Sequence, residues 1–196
     1  MALSSTVSPC GPYETISWIE TVTGYQPANI PDTFISITMA IPFLKLRRAS
    51  FRKGLIAGAI GGLAGGLTKA AAEAIYPPRL PGEISPAVLL VERIAGLPLS
   101  PREQKVAETC VHVAFSAGIG AVYGVIAEYW QDATAARGGA FALVLLALTH
   151  ESALPLLHLA ESPPRQPQQE QSSELLTHLV FGLTVEQLRR RIRPLL

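Results

Sequence analysis

Histidine, glutamate and lysine residues occur in this 196-residue chain within stretches that are otherwise apolar. Lys69 and Glu73 lie four residues apart, the spacing at which such residues pair on one helical face. An ionisable side chain at the centre of a bilayer costs at least about 2.5–3.5 kcal/mol, so such groups turn toward a bundle interior and find partners there. We therefore predict an intramembrane polar cluster formed by Lys69, Glu73, His112, Glu128, His150, His178 and Glu186.

Three kinds of chemistry fit such a cluster. Imidazole changes charge between pH 5 and 8, so histidines beside carboxylates in a low-dielectric bundle could sense or relay protons. Neutral imidazoles from facing helices could instead hold a metal ion or a haem. No HxxxH, HExxH or CxxC spacing supports a metal, so that interpretation rests on proximity in the fold alone, with His112, His150 and His178 as candidates. The third possibility is a structural network that fixes the register of the helices.

The first element that must position these groups is the segment 53–76. No charge occurs between Gly54 and Thr68. At 1.5 Å per residue, a helix of this length spans roughly 30 Å, the thickness of a hydrocarbon core. Its small residues recur every four positions, as do those of a second apolar stretch, and such ridges let two helices approach closely. The predicted packing glycines are Gly58, Gly62, Gly66, Gly120 and Gly124.

Three further spans follow, and we place them at 108–130, 138–159 and 173–188. In the third, Glu151 and His158 are predicted to share a helical face. Its Pro155 lacks an amide hydrogen and so frees the carbonyl group of Glu151. Near the end of the second span, Tyr123, Tyr129 and Trp130 are interpreted as aromatic residues of the membrane interface. The fourth span has the shortest uncharged run, from Leu175 to Val185.

Outside the spans, residues 1–52 are predicted to form an irregular leader that ends in a basic interfacial segment. Ile84–Leu97 has the pattern of a short amphipathic helix that ends at Gly96. Ser100, Pro101 and Glu103 predict a new helix start with a capping box. The expected fold is therefore all-α: an integral membrane four-helix bundle over 53–193, with an N-terminal interfacial segment and one amphipathic helix between spans 1 and 2.

Charge indicates the topology and excludes one class of partner. Four spans place both termini on one side, and most of the sixteen basic residues fall on that side. The positive-inside rule identifies this side as the cytoplasm, so we expect an inner-membrane protein with cytoplasmic termini. A net charge of +1 gives no reason to expect a nucleic acid as partner. Cys10 and Cys110 show neither metal nor redox spacing, and we expect no cofactor.

The motifs of these spans resemble those of the YagU-like family of bacterial inner-membrane proteins. The resemblance covers roughly residues 53–193. It rests on GLIAG at 54–58, Lys69 with Glu73, Pro77-Pro78-Arg79 with Pro81, His112, Phe115-Ser116, Tyr123, Ala127-Glu128, His150, Pro155, Ser173-Glu174, His178-Leu179-Val180, Glu186 and Arg189-Arg190. It implies a multi-span membrane protein with an association with acid tolerance, and it implies neither a substrate nor a catalytic residue.

Three functions therefore follow from the sequence. The first is proton or ion handling by the buried His/Glu/Lys cluster. The second is a structural subunit that forms a homo-oligomer, or binds a partner membrane protein, through its glycine-rich faces. The third is a metal- or haem-binding membrane protein. An enzyme is the least favoured, because the sequence shows no nucleophile–base pair and no phosphate-binding loop.

Overall fold

The structure is a computed structural model that describes residues 49–80 and 82–196, so the predicted leader and most of the basic interfacial segment lie outside the described residues. Within that part of the chain the fold is all-helical, as predicted, and contains no strand. Five helices follow one another: α1 (Phe51–Ile75), α2 (Pro86–Ala95), α3 (Pro101–Tyr129), α4 (Gly139–Leu148, extended by a π-helical turn at Thr149–Ala153 and a last α turn at Leu154–Leu156) and α5 (Gln168–Ile192).

The helix ends follow their capping residues. The side-chain oxygens of Ser50 and Ser85 accept hydrogen bonds from the first turns of α1 and α2. At Gly96 the chain adopts a left-handed conformation, φ +70°, which ends α2 as predicted. Glu103 accepts a hydrogen bond from the backbone N–H of Ser100, at 2.8 Å, so the predicted capping box starts α3. α5 differs most from its prediction, because it begins five residues earlier and ends four residues later than the span 173–188.

Burial along α1 is inverted relative to a water-soluble helix. Its buried residues are glycines and one alanine, whereas large apolar residues such as Leu55, Ile60 and Leu67 are exposed. This distribution is typical of a helix whose small residues face another helix and whose large residues face lipid. Among the residues that the structure describes, three helical segments are long and apolar enough to cross a membrane: Phe51–Ile75, Pro101–Tyr129 and Gln131–Leu156. The chain is therefore compatible with an integral membrane protein.

The glycines of α1 and α3 lie against each other. A Cβ atom built on Gly58 would lie 2.8 Å from the Cα of Gly124, and one built on Gly62 would lie 3.0 Å from the Cα of Gly120. Real Cβ atoms are rarely this close to another backbone, so the two helices can approach this closely only through glycine. Gly66 faces the side chain of Ser116 in the same way, and a Cβ there would be 2.6 Å from its Oγ.

Helix α5 packs against α1 and α4 and contributes two residues to the hydrophobic core. Phe181 and Val185 are buried there against Tyr123 and Leu145. Tyr123 stacks on Phe141, with ring centroids 4.1 Å apart. The interpretation of Tyr123 as an interface aromatic is therefore wrong: the residue is 2% exposed, and its hydroxyl group donates a hydrogen bond to Glu186 at 2.9 Å. A buried tyrosine hydroxyl needs such an acceptor, and the neighbouring helix supplies one.

Pro155 changes the course of the third span. Without a proline N–H the helix cannot keep its regular ladder, and it widens into the π-helical turn Thr149–Ala153. The α-helical conformation ends at Leu156, and His158 has a positive φ of 54°. His158 is therefore an exposed residue of the turn after α4 and does not share a helical face with Glu151, in contrast to the prediction.

Candidate functional site

The structure places six of the seven predicted polar residues, all but His112, in two groups at opposite ends of the antiparallel pair α1 and α3. One group gathers around Glu174 and is named here the Glu174 site: Lys69, Glu73, His150, Glu174 and His178. The other group, named here the Glu186 site, contains Tyr123, Glu128, Glu186, Arg189, Arg190 and Arg193.

Glu174 is the centre of its site and is 3% exposed. Its Oε2 atom accepts a hydrogen bond from the Lys69 ammonium group at 3.0 Å. Its Oε1 atom lies 3.2 Å from Nε2 of His150 and 3.5 Å from the Arg79 guanidinium group. Lys69 also pairs with Glu73, one turn further along α1, and donates to the hydroxyl group of Thr177 at 3.0 Å. One carboxylate thus receives groups from α1, α4 and the segment after α1.

Local structure explains why these side chains meet. The early start of α5 places Glu174 in its second turn, one turn before His178 on the same face. Ser173 donates a hydrogen bond to the carbonyl oxygen of Tyr76 at 2.6 Å, which fixes α5 against the end of α1. The π-helical turn of α4 carries His150 toward α5, where its ring meets that of His178 edge-on, with centroids 4.8 Å apart. Such turns are frequent at functional sites.

The Glu174 site forms one wall of a cavity of about 290 Å³. All five helices contribute to its lining, which also includes apolar residues such as Leu90, Val111 and Phe115. His112 also lines the cavity, but its Nε2 atom lies 3.1 Å from the carbonyl oxygen of Gly66, away from Glu174. The volume is at the lower limit of small-molecule pockets, which fits an ion with its water better than a haem.

The Glu186 site is a closed network of ion pairs. Arg189 makes two bonds to the carboxylate of Glu186, at 2.7 and 3.0 Å, and Arg190 pairs with the same group. Arg193 binds both oxygens of Glu128, each at 2.7 Å. Glu128 also accepts a hydrogen bond from the backbone N–H of Ser50 at 3.0 Å. The network joins the start of α1 to the ends of α3 and α5, so its geometry indicates a structural role.

Sequence reasoning missed the two residues that organise these sites. The predicted cluster of buried polar residues did not include Glu174. Its spacing of four residues from His178 was the available signal. No partner was predicted for Arg189, although its spacing of three residues from Glu186 is that of a pair on one helical face. For Arg79, which is brought to the site by the turn after α1, the sequence carries no comparable signal.

Comparison with known proteins identifies the family of this chain. Residues 63–187 match the family model described as a protein of unknown function, DUF1440. This is the membrane family whose YagU-like members the spans resemble. The matched region contains every residue of the Glu174 site and the packing glycines Gly66, Gly120 and Gly124, whereas Gly58 and Gly62 lie before it. No curated protein and no solved structure matches the chain. Because the match covers more than half of its length, the chain belongs to the DUF1440 family, as the resemblance predicted.

Proposed function

We propose that this chain is an integral inner-membrane protein that handles protons or ions, and that the Glu174 site takes up a cation from the adjoining cavity. The observation that carries the proposal is a buried carboxylate that faces two imidazole rings at the wall of a cavity. Ionisable groups placed within membrane helices mark ion and proton pathways in membrane proteins. The acid tolerance implied by the family resemblance would follow if the cation is a proton.

The charges around the cavity favour a cation. Its lining contains three carboxylates, from Glu73, Glu108 and Glu174, and two permanent cations, from Lys69 and Arg79. With neutral histidines the sum is 2 − 3 = −1. In a low-dielectric bundle a net negative charge attracts a cation far more strongly than it would in water.

The depth of the site agrees with this proposal. Leu63 is the middle residue of α1, and Lys69 is six residues beyond it, which places Lys69 about 9 Å from the helix centre. The site would therefore lie within the hydrocarbon region if α1 crosses the bilayer upright. We propose that α1, α3, α4 and α5 form a four-span domain over 53–193, in which α5 crosses with its polar residues covered by α1 and α4.

The proposed orientation places the cavity toward the outside of the cell. The Glu186 site, with Arg189, Arg190 and Arg193, would face the cytoplasm under the positive-inside rule. The cavity lies at the opposite end, beside α2 and Arg79. An external cation would then reach Glu174 without crossing the whole membrane.

A structural role through glycine-rich faces is the alternative function from the sequence. In the structure the glycine ridge of α1 is covered by α3 of the same chain. This contact holds the domain together, and it gives no specific support for a homo-oligomer or for a partner helix.

Vesicles that contain the purified full-length protein would test the proposed ion handling. We expect protons or Zn²⁺ ions to enter these vesicles faster than protein-free vesicles when a gradient is imposed, as reported by trapped pH- and zinc-sensitive dyes. Glu174→Gln removes the central charge with little change of shape, and entry should fall at least about tenfold because a unit charge is lost from a low-dielectric site.

His158→Gln is the matched control, because His158 is exposed and outside the Glu174 site. It should leave ion entry unchanged. The proposed function is wrong if neither ion enters faster than into protein-free vesicles, or if correctly folded Glu174→Gln protein admits both ions as fast as the parent protein.

A further inference from the structure

We infer that His150, Glu174 and His178 form a binding site for a divalent transition-metal ion, with Zn²⁺ as the representative ion. The inference rests on the proposed function, in which this site takes up a cation, and it specifies the class of that cation. One potential ligand atom from each of the three residues lies within 4.8 Å of the others. Two imidazoles and one carboxylate are a common donor set for zinc and related metals.

The hydrogen bonds of His150 leave its Nε2 atom ready for a cation. The hydroxyl group of Thr149 donates its hydrogen to the carbonyl oxygen of Leu145, at 2.7 Å. Its oxygen can therefore only accept from Nδ1 of His150, which lies 3.2 Å away. In the neutral ring Nε2 then carries a lone pair, which faces Oε1 of Glu174 at 3.2 Å. Two acceptors at this distance repel each other unless a positive charge lies between them.

The hydrogen bonds of His178 have the same consequence. Its Nδ1 atom lies 2.8 Å from the backbone carbonyl oxygen of Glu174, and that oxygen can only accept. The hydrogen atom of the neutral ring therefore lies on Nδ1, and Nε2 carries the lone pair. Among the described residues Nε2 has no hydrogen-bond partner, although His178 is 3% exposed and lines the cavity. An acceptor that lacks a hydrogen-bond partner and belongs to a residue lining a cavity is an expected position for a metal ligand.

Both rings thus have the outer contacts that metal-binding histidines require. Such histidines almost always donate their second N–H to an oxygen, which fixes the ring and increases its basicity. Thr149 provides that oxygen for His150, and the carbonyl group of Glu174 provides it for His178. The cavity beside the three ligands leaves room for water or a substrate as the fourth ligand, which is the arrangement of open zinc sites.

Besides Arg79, whose guanidinium group lies 3.5 Å from Oε1 of Glu174, the group that competes with the metal is Lys69. Its ammonium group occupies Oε2 of Glu174 in the structure, at 3.0 Å. The same ammonium group is also held by Glu73 and by Thr177, so it can give up Glu174 and keep two partners. Metal binding would therefore replace one contact of Lys69 without leaving its charge unpaired.

Titration with Co²⁺ tests the inference directly. The full-length protein is purified in detergent, stripped with a chelator and titrated with Co²⁺, whose visible spectrum reports its ligands, and Zn²⁺ is then added as a competitor. We expect one Co²⁺ per chain, displaced by Zn²⁺. Because each substitution removes one of three protein ligands, His150→Gln and His178→Gln should each weaken binding at least about 100-fold, more than the loss of an outer-shell partner. His158→Gln is the matched control, because His158 is exposed and outside the Glu174 site, and this variant should bind Co²⁺ as the parent protein does.

Two further variants separate a metal site from a loss of folding. Lys69→Gln removes the competing charge, and we expect Co²⁺ affinity to rise at least about tenfold, a gain that a damaged fold cannot produce. Thr149→Val removes the outer contact of His150 and should weaken binding about 10- to 100-fold.

The inference is overturned if the parent protein shows no cobalt spectrum at millimolar Co²⁺, or if His150→Gln and His178→Gln bind as it does. Proton entry into vesicles without metal binding would contradict the metal site and still support the proposed function. Metal binding without entry of either ion would support the metal site and contradict the proposed ion handling.

Discussion

Gly62→Leu is expected to prevent the membrane domain from folding. Gly62 faces the backbone of α3, and a Cβ there would lie 3.0 Å from the Cα of Gly120 and still closer to the carbonyl oxygen of Ser116. A leucine adds three more carbon atoms at a point where only backbone can move. Overpacking a core typically costs about 1–3 kcal/mol. Here the added side chain meets the backbone of α3, which cannot move aside as a side chain can, so the cost should exceed that range. We expect the variant protein to aggregate on extraction.

Gly118→Leu is the matched control for this experiment. Gly118 is also a glycine of α3, but nothing lies within 4 Å of a Cβ at this position. This variant should elute from gel filtration as the parent protein does and unfold within a few degrees of it. If Gly62→Leu protein instead elutes as a folded species with an unchanged unfolding temperature, the contact between α1 and α3 is wrong.

The contact between α1 and α3 also changes the result expected when both Gly58 and Gly62 are replaced by leucine. If glycine faces hold an oligomer together, replacing Gly58 and Gly62 by leucine should dissociate it and leave folded protomers. In the structure these two glycines contact Gly120 and Gly124 within one chain. We therefore expect the double substitution to destroy the protomer itself, and a folded, dissociated protomer would favour the oligomer.

The periodic features of this fold were accessible from the sequence. Glycine at four-residue spacing in two apolar stretches indicated both helices and the faces on which they meet. In lipid, a row of small residues on one face lets two helices pack closely. Capping residues such as Ser100 and Gly96 fixed the helix ends for local reasons. The ionisable residues of the spans could also be identified from the sequence, because the free energy of placing such groups in a membrane makes them rare there.

The partners of these polar residues could not be derived in the same way. Which end of the bundle each group occupies depends on the register between helices, and a single sequence does not contain that register. The position of Glu174 depended on five additional residues at the start of α5. His150 lies within a π-helical turn, in which the spacing of side chains departs from that of the α-helix assumed from the sequence. Small changes of helix geometry therefore separate one predicted cluster into two sites.

Glu186→Gln is expected to cause the largest loss of stability of any substitution at the Glu186 site. Glu186 is fully buried and accepts hydrogen bonds from Arg189, Arg190 and Tyr123. Glutamine keeps the shape but removes the charge, and Arg189, 5% exposed, loses its two bonds to a carboxylate. Removing one partner of a buried ion pair costs about 3–5 kcal/mol. Arg189 keeps a second carboxylate, that of Glu128, at 3.8 Å, so we expect the loss to lie at the lower end of this range. The unfolding midpoint in detergent should fall accordingly.

Arg190→Gln separates this effect from a general sensitivity of the helix end. The side chain of Arg190 is 49% exposed and contacts the same carboxylate, but its removal leaves Glu186 bonded to Arg189 and Tyr123. An exposed partner of this kind contributes about 0.2–1 kcal/mol, so the midpoint should change little. Equal losses in the two variants would mean that Glu186 is not the buried centre of the network. A larger loss for Glu186→Gln would mean that burial, and not the number of ion pairs, decides how strongly each charge holds α5 to α3.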